Sequence, residues 1–203
     1  RNLFANTFFP DDDNVQSRQP ISIQDIRKVQ TLCKEIDDDM RWLIALISDT
    51  GMRLGEAAGL LKEDIKLNDH IPHIDLKPHS WRGLKTKGSQ RQIPLVGASL
   101  WAAKQILDAK EGLFCFPRYT NHEFCKSNSA SASMNKWLKV VASEAATIHG
   151  FRHSFRDRLR EVEAPKELID QLGGWSLQSV GQSYGKGYPL ENTSKWMQKI
   201  TLQ

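Results

Sequence analysis

The sequence predicts a mainly α-helical domain with a small antiparallel β-sheet inserted about one third of the way along. Three observations predict it. Apolar residues recur at helical spacing through most of the chain. The period changes to alternation only between residues 65 and 96. Gly and Pro then break the last third into short pieces.

The first helix opens at Ser22, with Asp25 three residues on, a pair that resembles a capping box; Ile23, Ile26, Val29 (or Gln30) and Cys33 follow at helical spacing. "DDMRWLIALISDTG" is a second helix, apolar from Trp42 to Ile47 and therefore buried, with Gly51 as its left-handed cap. "RLGEAAGLLKEDI" starts a short third helix. "IKLNDHIPHIDLK" reads as strand, turn, strand, with Asn68-Asp69 in the turn. "LKTKGSQRQIPLV" reads as a further hairpin, with Gly88-Ser89 at its tip and Ile93 and Leu95 on the returning strand. "SLWAAKQILDAKEG" is a helix closed by Gly112, and "SNSASASMNKWLKVVASEA" becomes helical through Met134, Trp137, Leu138 and Val141. Short helices punctuated by Pro165, Gly173-Gly174 and Gly185 complete the chain. The tail "ENTSKWMQKITLQ" reads as an amphipathic helix that packs on its own domain or on a neighbouring subunit.

Composition narrows the class. The chain has 203 residues, 39% hydrophobic and 26% charged, an ordinary globular balance. No run approaches the roughly 20 apolar residues of a membrane span. Residues 1–20 are polar and Pro-bounded and read as an incoming linker, with the folded domain over 21–203. The three cysteines show no CxxC spacing, which argues for a reducing compartment. Cys115 lies in the apolar "GLFCFP", so it reads as a buried thiol, and no metal site is expected of Cys115, His122 and Cys125. Net charge is +4, and residues 72–91 alone carry three Lys and two Arg against one Asp. A neutral body with one basic segment points to contact with a polyanion.

"TIHGFRHSFRDRLREV" concentrates the cations. Phe151, Phe155, Leu159 and Val162 form a core stripe, and Arg152, Arg156 and Arg160 lie one residue, about 100°, around the helix. Arg152 borders the buried face, where an unpaired guanidinium is costly and an anion is wanted; Arg156 and Arg160 are expected at solvent and Arg158 on the outer face. His149 falls beside Arg152 at the positive end of the helix. Arg53 has a similar setting, following a buried helix and its Gly cap, with Glu56 three residues on.

Three boxes in order carry a resemblance. "DTGMRLGEAAGL" resembles the first arginine box of the tyrosine recombinases, or phage integrases; "HGFRHSF" resembles their H-x-x-R-H box; "QLGGWSLQSVGQSY" resembles their closing motif, with the nucleophilic tyrosine nine residues after Trp175. The resemblance runs from about residue 20 to the end. It implies the catalytic-domain fold of the DNA breaking–rejoining enzymes and transesterification at a DNA phosphodiester through a 3′-phosphotyrosyl intermediate, without ATP, metal or other cofactor.

On that resemblance Tyr184 is the nucleophile, with Tyr188 as competitor, and Arg53 and Arg152 clamp the non-bridging oxygens. Lys85, or Lys87 beside the turn, protonates the leaving oxygen. His149 is general base or phosphate donor, and Trp175 positions by packing, since indole cannot carry a proton. Glu56 and His153 support the site, and Arg82, Lys87, Arg91 and Arg156 contact the DNA. The resemblance further implies double-stranded DNA with a specific site as partner, a homo-oligomer (a tetramer on DNA, a monomer possible in isolation), no membrane and a bacterial cytoplasmic location. It implies a separate DNA-clamping domain before residue 21, and so weak, salt-sensitive DNA binding by this chain alone. A type IB topoisomerase and a non-cutting DNA-binding module are the alternative readings.

Overall fold

The computed structural model describes residues 19–85, 89–109, 112–175 and 187–202. Eight α-helices and one three-stranded sheet are found among them.

Helix α1 (Ile23–Ile36) starts at Ser22, whose hydroxyl accepts from Asp25 N at 3.1 Å. Helix α2 (Asp39–Thr50) starts at Asp38, which accepts from Arg41 N, and ends at Gly51 with φ 61°. A Cβ on Gly51 would stand 2.4 Å from the Phe155 ring, so the cap and the close helix contact both require glycine. Residues 43 to 50 of α2 are all buried, as a helix that is apolar nearly all round must be. Its polar end is satisfied internally: Ser48 and Thr50 donate to Ala45 O and Leu46 O.

Helix α3 (Leu54–Ala58) and a 3-10 turn (Lys62–Asp64) lead into β1 (Ile65–Lys66), β2 (His73–Leu76) and β3 (Arg91–Pro94), in the order β1-β2-β3, antiparallel throughout. Ile65, Ile74 and Ile93 face one another across the register and are all buried. The strand–turn–strand expected over 65–77 is present. The second expected hairpin differs: β3 pairs with β2, and Leu84 and Lys85 belong to the long connection between them. Of the expected tip, Gly88 lies outside the described residues, with 86 and 87, and Ser89 is buried. The cross-strand Ile74–Ile93 contact anchors β3 on β2, whereas 84–85 has no apolar alternation to match.

Helix α4 (Gly97–Asp108) ends at Ala109, earlier than Gly112. Helix α5 (Ser127–Val141) begins within the Ser-rich run itself. Helices α6 (Gly150–Glu161), α7 (Lys166–Gly173) and α8 (Leu190–Lys199) follow.

One cluster is built round α2, with Ile26 and Val29 of α1, Ala102 and Ile106 of α4, and Phe151. Each fully buried Leu or Ile of α2 contributes about 1.5–3 kcal/mol by leaving water. A second cluster joins Phe155 and Leu159 of α6 to Leu168 and Leu172 of α7 and Met197 and Ile200 at the chain's end. The tail therefore packs on its own domain here, with Trp196 at the cluster's rim.

Arg158 is a correction. It is buried rather than outward, its guanidinium donating to Ser48 O at 2.9 Å, Asp49 Oδ1 at 2.8 Å and Ile200 O. Asp49 also accepts from Gln30 Nε2 at 3.0 Å and Ala98 N at 2.8 Å. This buried ion pair ties α1, α2, α4 and α6 to the end of α8.

Candidate active site

Three connections converge where α2 and α7 end and α6 begins. The capped end of α2 delivers Arg53, the N-terminal turn of α6 delivers His149 and Arg152, and the end of α7 presents a row of carbonyls. The Phe151–Phe155–Leu159 stripe, all fully buried, sets the rotation of α6 and so aims Arg152 inward.

Arg152 is 4% exposed. Its guanidinium donates to Gly51 O at 2.7 Å and Gly173 O at 2.5 Å, linking the cap of α2 to the last residue of α7. Arg53 donates to Glu56 Oε1 at 2.7 Å and to Gly174 O at 3.2 Å, and its backbone N–H also goes to Glu56. Glu56 is buried, so the Arg53–Glu56 pair is not a surface pair; it holds Arg53 with its side chain about a quarter exposed. Burial works to raise the Glu56 carboxyl, but the charges and hydrogen bonds of Arg91 and Arg53 outweigh it and hold its pKa below the ordinary value.

Burial, and then the like charge of Arg53, bring the Arg152 pKa down to about 9. It is still a cation at neutral pH, but one whose neighbours are positive on balance. Two guanidinium groups are thus gathered on one turn, a chemistry suited to the oxygens of a small oxyanion.

The Trp175 indole lies beside the arginines. The guanidinium carbons of Arg152 and Arg156 lie 4.4 and 4.9 Å from its ring centroid. Its backbone N–H donates to Asp170 O, and a Cβ on Gly173 would run into the ring, so the glycine at 173 gives the indole its place. His149 is half-buried and lines a groove of about 410 Å³ with Met52, Leu54, Ser127 and Asn135. His153 is exposed, with its ring 5.1 Å from that of His149.

The expected DNA contacts divide. Arg82 and Arg91 lie inside the protein, 5% and 7% exposed. Arg82 donates to Lys77 O at 3.0 Å and sits 3.9 Å from the buried Asp64. Arg91 bonds Glu56, Ser89 O and Leu172 O. Both were read as surface cations from a basic segment; partners elsewhere in the fold draw them in. Arg156 is partly exposed and is shared between Trp175 and Asp170, 3.5 Å away. Lys85 is exposed on the β2–β3 connection. Lys87 and Tyr184 lie outside the described residues. Tyr188 packs against the second cluster, its backbone N–H and C=O both bonded to the Gln171 amide at 2.7 and 2.8 Å.

The sequence model of the phage integrase family matches residues 21–189. The chain belongs to the phage integrase family. Among curated relatives, the tyrosine recombinase XerC of Neisseria meningitidis serogroup B (strain ATCC BAA-335 / MC58) is 29% identical over 153 residues, 71% of this chain and 46% of that protein. The tyrosine recombinase XerC of Neisseria gonorrhoeae (strain ATCC 700825 / FA 1090) is 27% identical over 152 residues, with the same coverage, 71% and 46%. The chain thus spans about half the length of the curated relatives it matches.

Solved structures share the fold. The Tn1549 transposon integrase in complex with circular intermediate DNA superimposes with a TM-score of 0.62 at 17% identity, over 92% of this chain and 67% of that one. The XerH site-specific recombinase bound to difH substrate, a pre-cleavage complex, gives 0.59 at 18% identity, over 87% and 52%. This phage integrase domain is therefore mainly helical with a small antiparallel sheet, as its residue pattern predicts. Two features of its site had no motif to announce them: the Gly51, Gly173 and Gly174 carbonyls as arginine acceptors, and Arg91 among them. The one local signal for Arg91 was its position at the start of an alternating "RQIPL" strand.

Proposed function

We propose that this domain catalyses site-specific recombination of double-stranded DNA by tyrosine-mediated transesterification, serving a phage or integrated mobile element. The observation that carries the reading is the convergence of Arg53 and Arg152 on one turn beside Trp175, in a chain of the phage integrase family.

The two arginines bind the non-bridging oxygens of a scissile phosphate. Charge grows on those oxygens in the pentavalent transition state, so donors fixed in advance lower the barrier most there; losing one such donor costs about 10²–10³ in rate. The Tyr184 hydroxyl attacks phosphorus, giving a 3′-phosphotyrosyl link, and a lysine of the β2–β3 connection, Lys85 or Lys87, protonates the departing 5′-oxygen. His149 holds or receives a proton beside the phosphate, and Trp175 keeps Arg152 and Arg156 in place. The bond is exchanged, not hydrolysed, so the 5′-hydroxyl of a second strand reverses the step. Recombination joins paired sites, so the working form is a homo-oligomer on DNA.

The test is incubation with a pool of nicked duplexes of randomised sequence, followed by denaturation and recovery of covalently attached DNA. A recombinase retains a subset of sequences and joins two copies of them when the nick is absent. Relaxation of supercoiled plasmid without sequence preference favours topoisomerase chemistry, and no covalent DNA at all favours a binding module.

A further inference from the structure

Arg91 is a buried cation whose three donor atoms go to three separate parts of the site. Nη2 meets Glu56 Oε2 at 3.0 Å, and Glu56 in turn holds Arg53. Nε donates to Leu172 O at 2.8 Å, at the end of α7 that leads to Trp175. Nη1 donates to Ser89 O at 2.6 Å, at the returning end of the β2–β3 connection that bears Lys85 and Lys87. Only a planar guanidinium presents three donors in fixed directions; a lysine ammonium is a single point at the end of a flexible stem. The pocket is tight as well, since a Cβ on Gly174 would stand 2.6 Å from Arg91 Nη1.

We propose that Arg91 is a positioning residue for the general-acid step, fixing the lysine-bearing connection against the arginine pair. This rests on the recombinase reading above. Ser89 is four residues past Lys85, so its anchored carbonyl lies within about 14 Å of that lysine's backbone even if the chain is fully extended. Loosening that anchor frees the lysine without removing it.

The chemistry isolates the effect. As the tyrosine oxygen bonds to phosphorus, the P–O5′ bond breaks, its electron pair stays on O5′, and the lysine ammonium gives that oxygen a proton. If sulfur replaces O5′, the leaving group departs as a thiolate, whose conjugate acid has a pKa of about 8.5, and needs no proton. A displaced acid therefore slows the oxygen substrate and spares the sulfur one.

The probe is the duplex that the wild-type chain recovers from the randomised nicked pool, synthesised with a 5′-bridging oxygen or a 5′-bridging sulfur. Arg91→Lys is expected to slow covalent capture of the oxygen form by about 10²-fold, the scale of general-acid catalysis, and to keep the sulfur form within about threefold of wild type. The ratio of the two rates is taken within one preparation, so any unfolded fraction cancels. Gly174→Ala, whose Cβ would press on Nη1 of the same guanidinium, is expected to move the ratio in the same direction. Equal slowing of both forms in the two variants overturns the proposal while leaving the recombinase reading intact. Failure of the wild-type chain to capture either form overturns the reading and the proposal together.

Discussion

Arg53 and Arg152 donate to adjacent carbonyls of one turn, Gly174 O at 3.2 Å and Gly173 O at 2.5 Å. They are 99 residues apart in the chain, and like charges separate unless something holds them. Here the row of carbonyls at the end of α7 holds them, helped by Glu56 on one side and the Trp175 ring on the other. Burial first, and then the repulsion from Arg53 that neutral carbonyls only partly offset, bring the Arg152 pKa down to about 9.

A small oxyanion should therefore stabilise the fold. Inorganic phosphate, compared with chloride at equal ionic strength, is expected to raise Tm by several degrees, because a ligand at a hundred times its Kd adds about 2.7 kcal/mol. Arg152→Gln should remove most of that rise in a thermal-shift series. An equal rise in both proteins would place the anion elsewhere.

The Arg158–Asp49 pair should matter for stability rather than chemistry. Arg158→Met leaves the Asp49 carboxylate buried without its cation and releases Ile200 O at the end of α8. Breaking a buried pair from one side costs about 3–5 kcal/mol, measurable as a lower urea midpoint. Asp49→Asn with Arg158→Met should recover part of the loss, since no unpaired charge then remains.

Glu56 gives stability a pH dependence of known sign. Its carboxyl pKa is depressed in the fold, so the stabilisation is present above the ordinary value of 4.5 and is lost as pH falls through the lower folded value. Urea midpoints of wild type should fall faster below about pH 4.5 than those of Glu56→Gln, which carries no proton-linked charge there. Parallel curves for the two proteins would remove Glu56 as the source.

Much of the fold was legible because its signals are local. Ser22 and Gly51 announce helix ends within four residues of themselves, and the Phe151–Phe155–Leu159 stripe announces a buried face by spacing alone. The arginine pair was legible for a similar reason: each follows a feature that fixes it at the edge of a core. Arg158, Arg82 and Arg91 were not. Their partners, Asp49, Asp64 and Glu56, lie 18 to 109 residues away, and nothing in the sequence says which distant carboxylate a given arginine will meet. β3 illustrates the same limit: its partner is β2, not the residues just before it. His153, one residue past a buried arginine and so turned by about 100°, is exposed.

The most direct measurement identifies the residue that carries the DNA. Covalent adduct formed on a nicked duplex is digested with protease and nuclease, and the modified peptide is sequenced by mass spectrometry. The account predicts a nucleotide on Tyr184, and no adduct from Tyr184→Phe. A nucleotide on Tyr188, or adduct that persists in Tyr184→Phe and disappears in Tyr188→Phe, would contradict it.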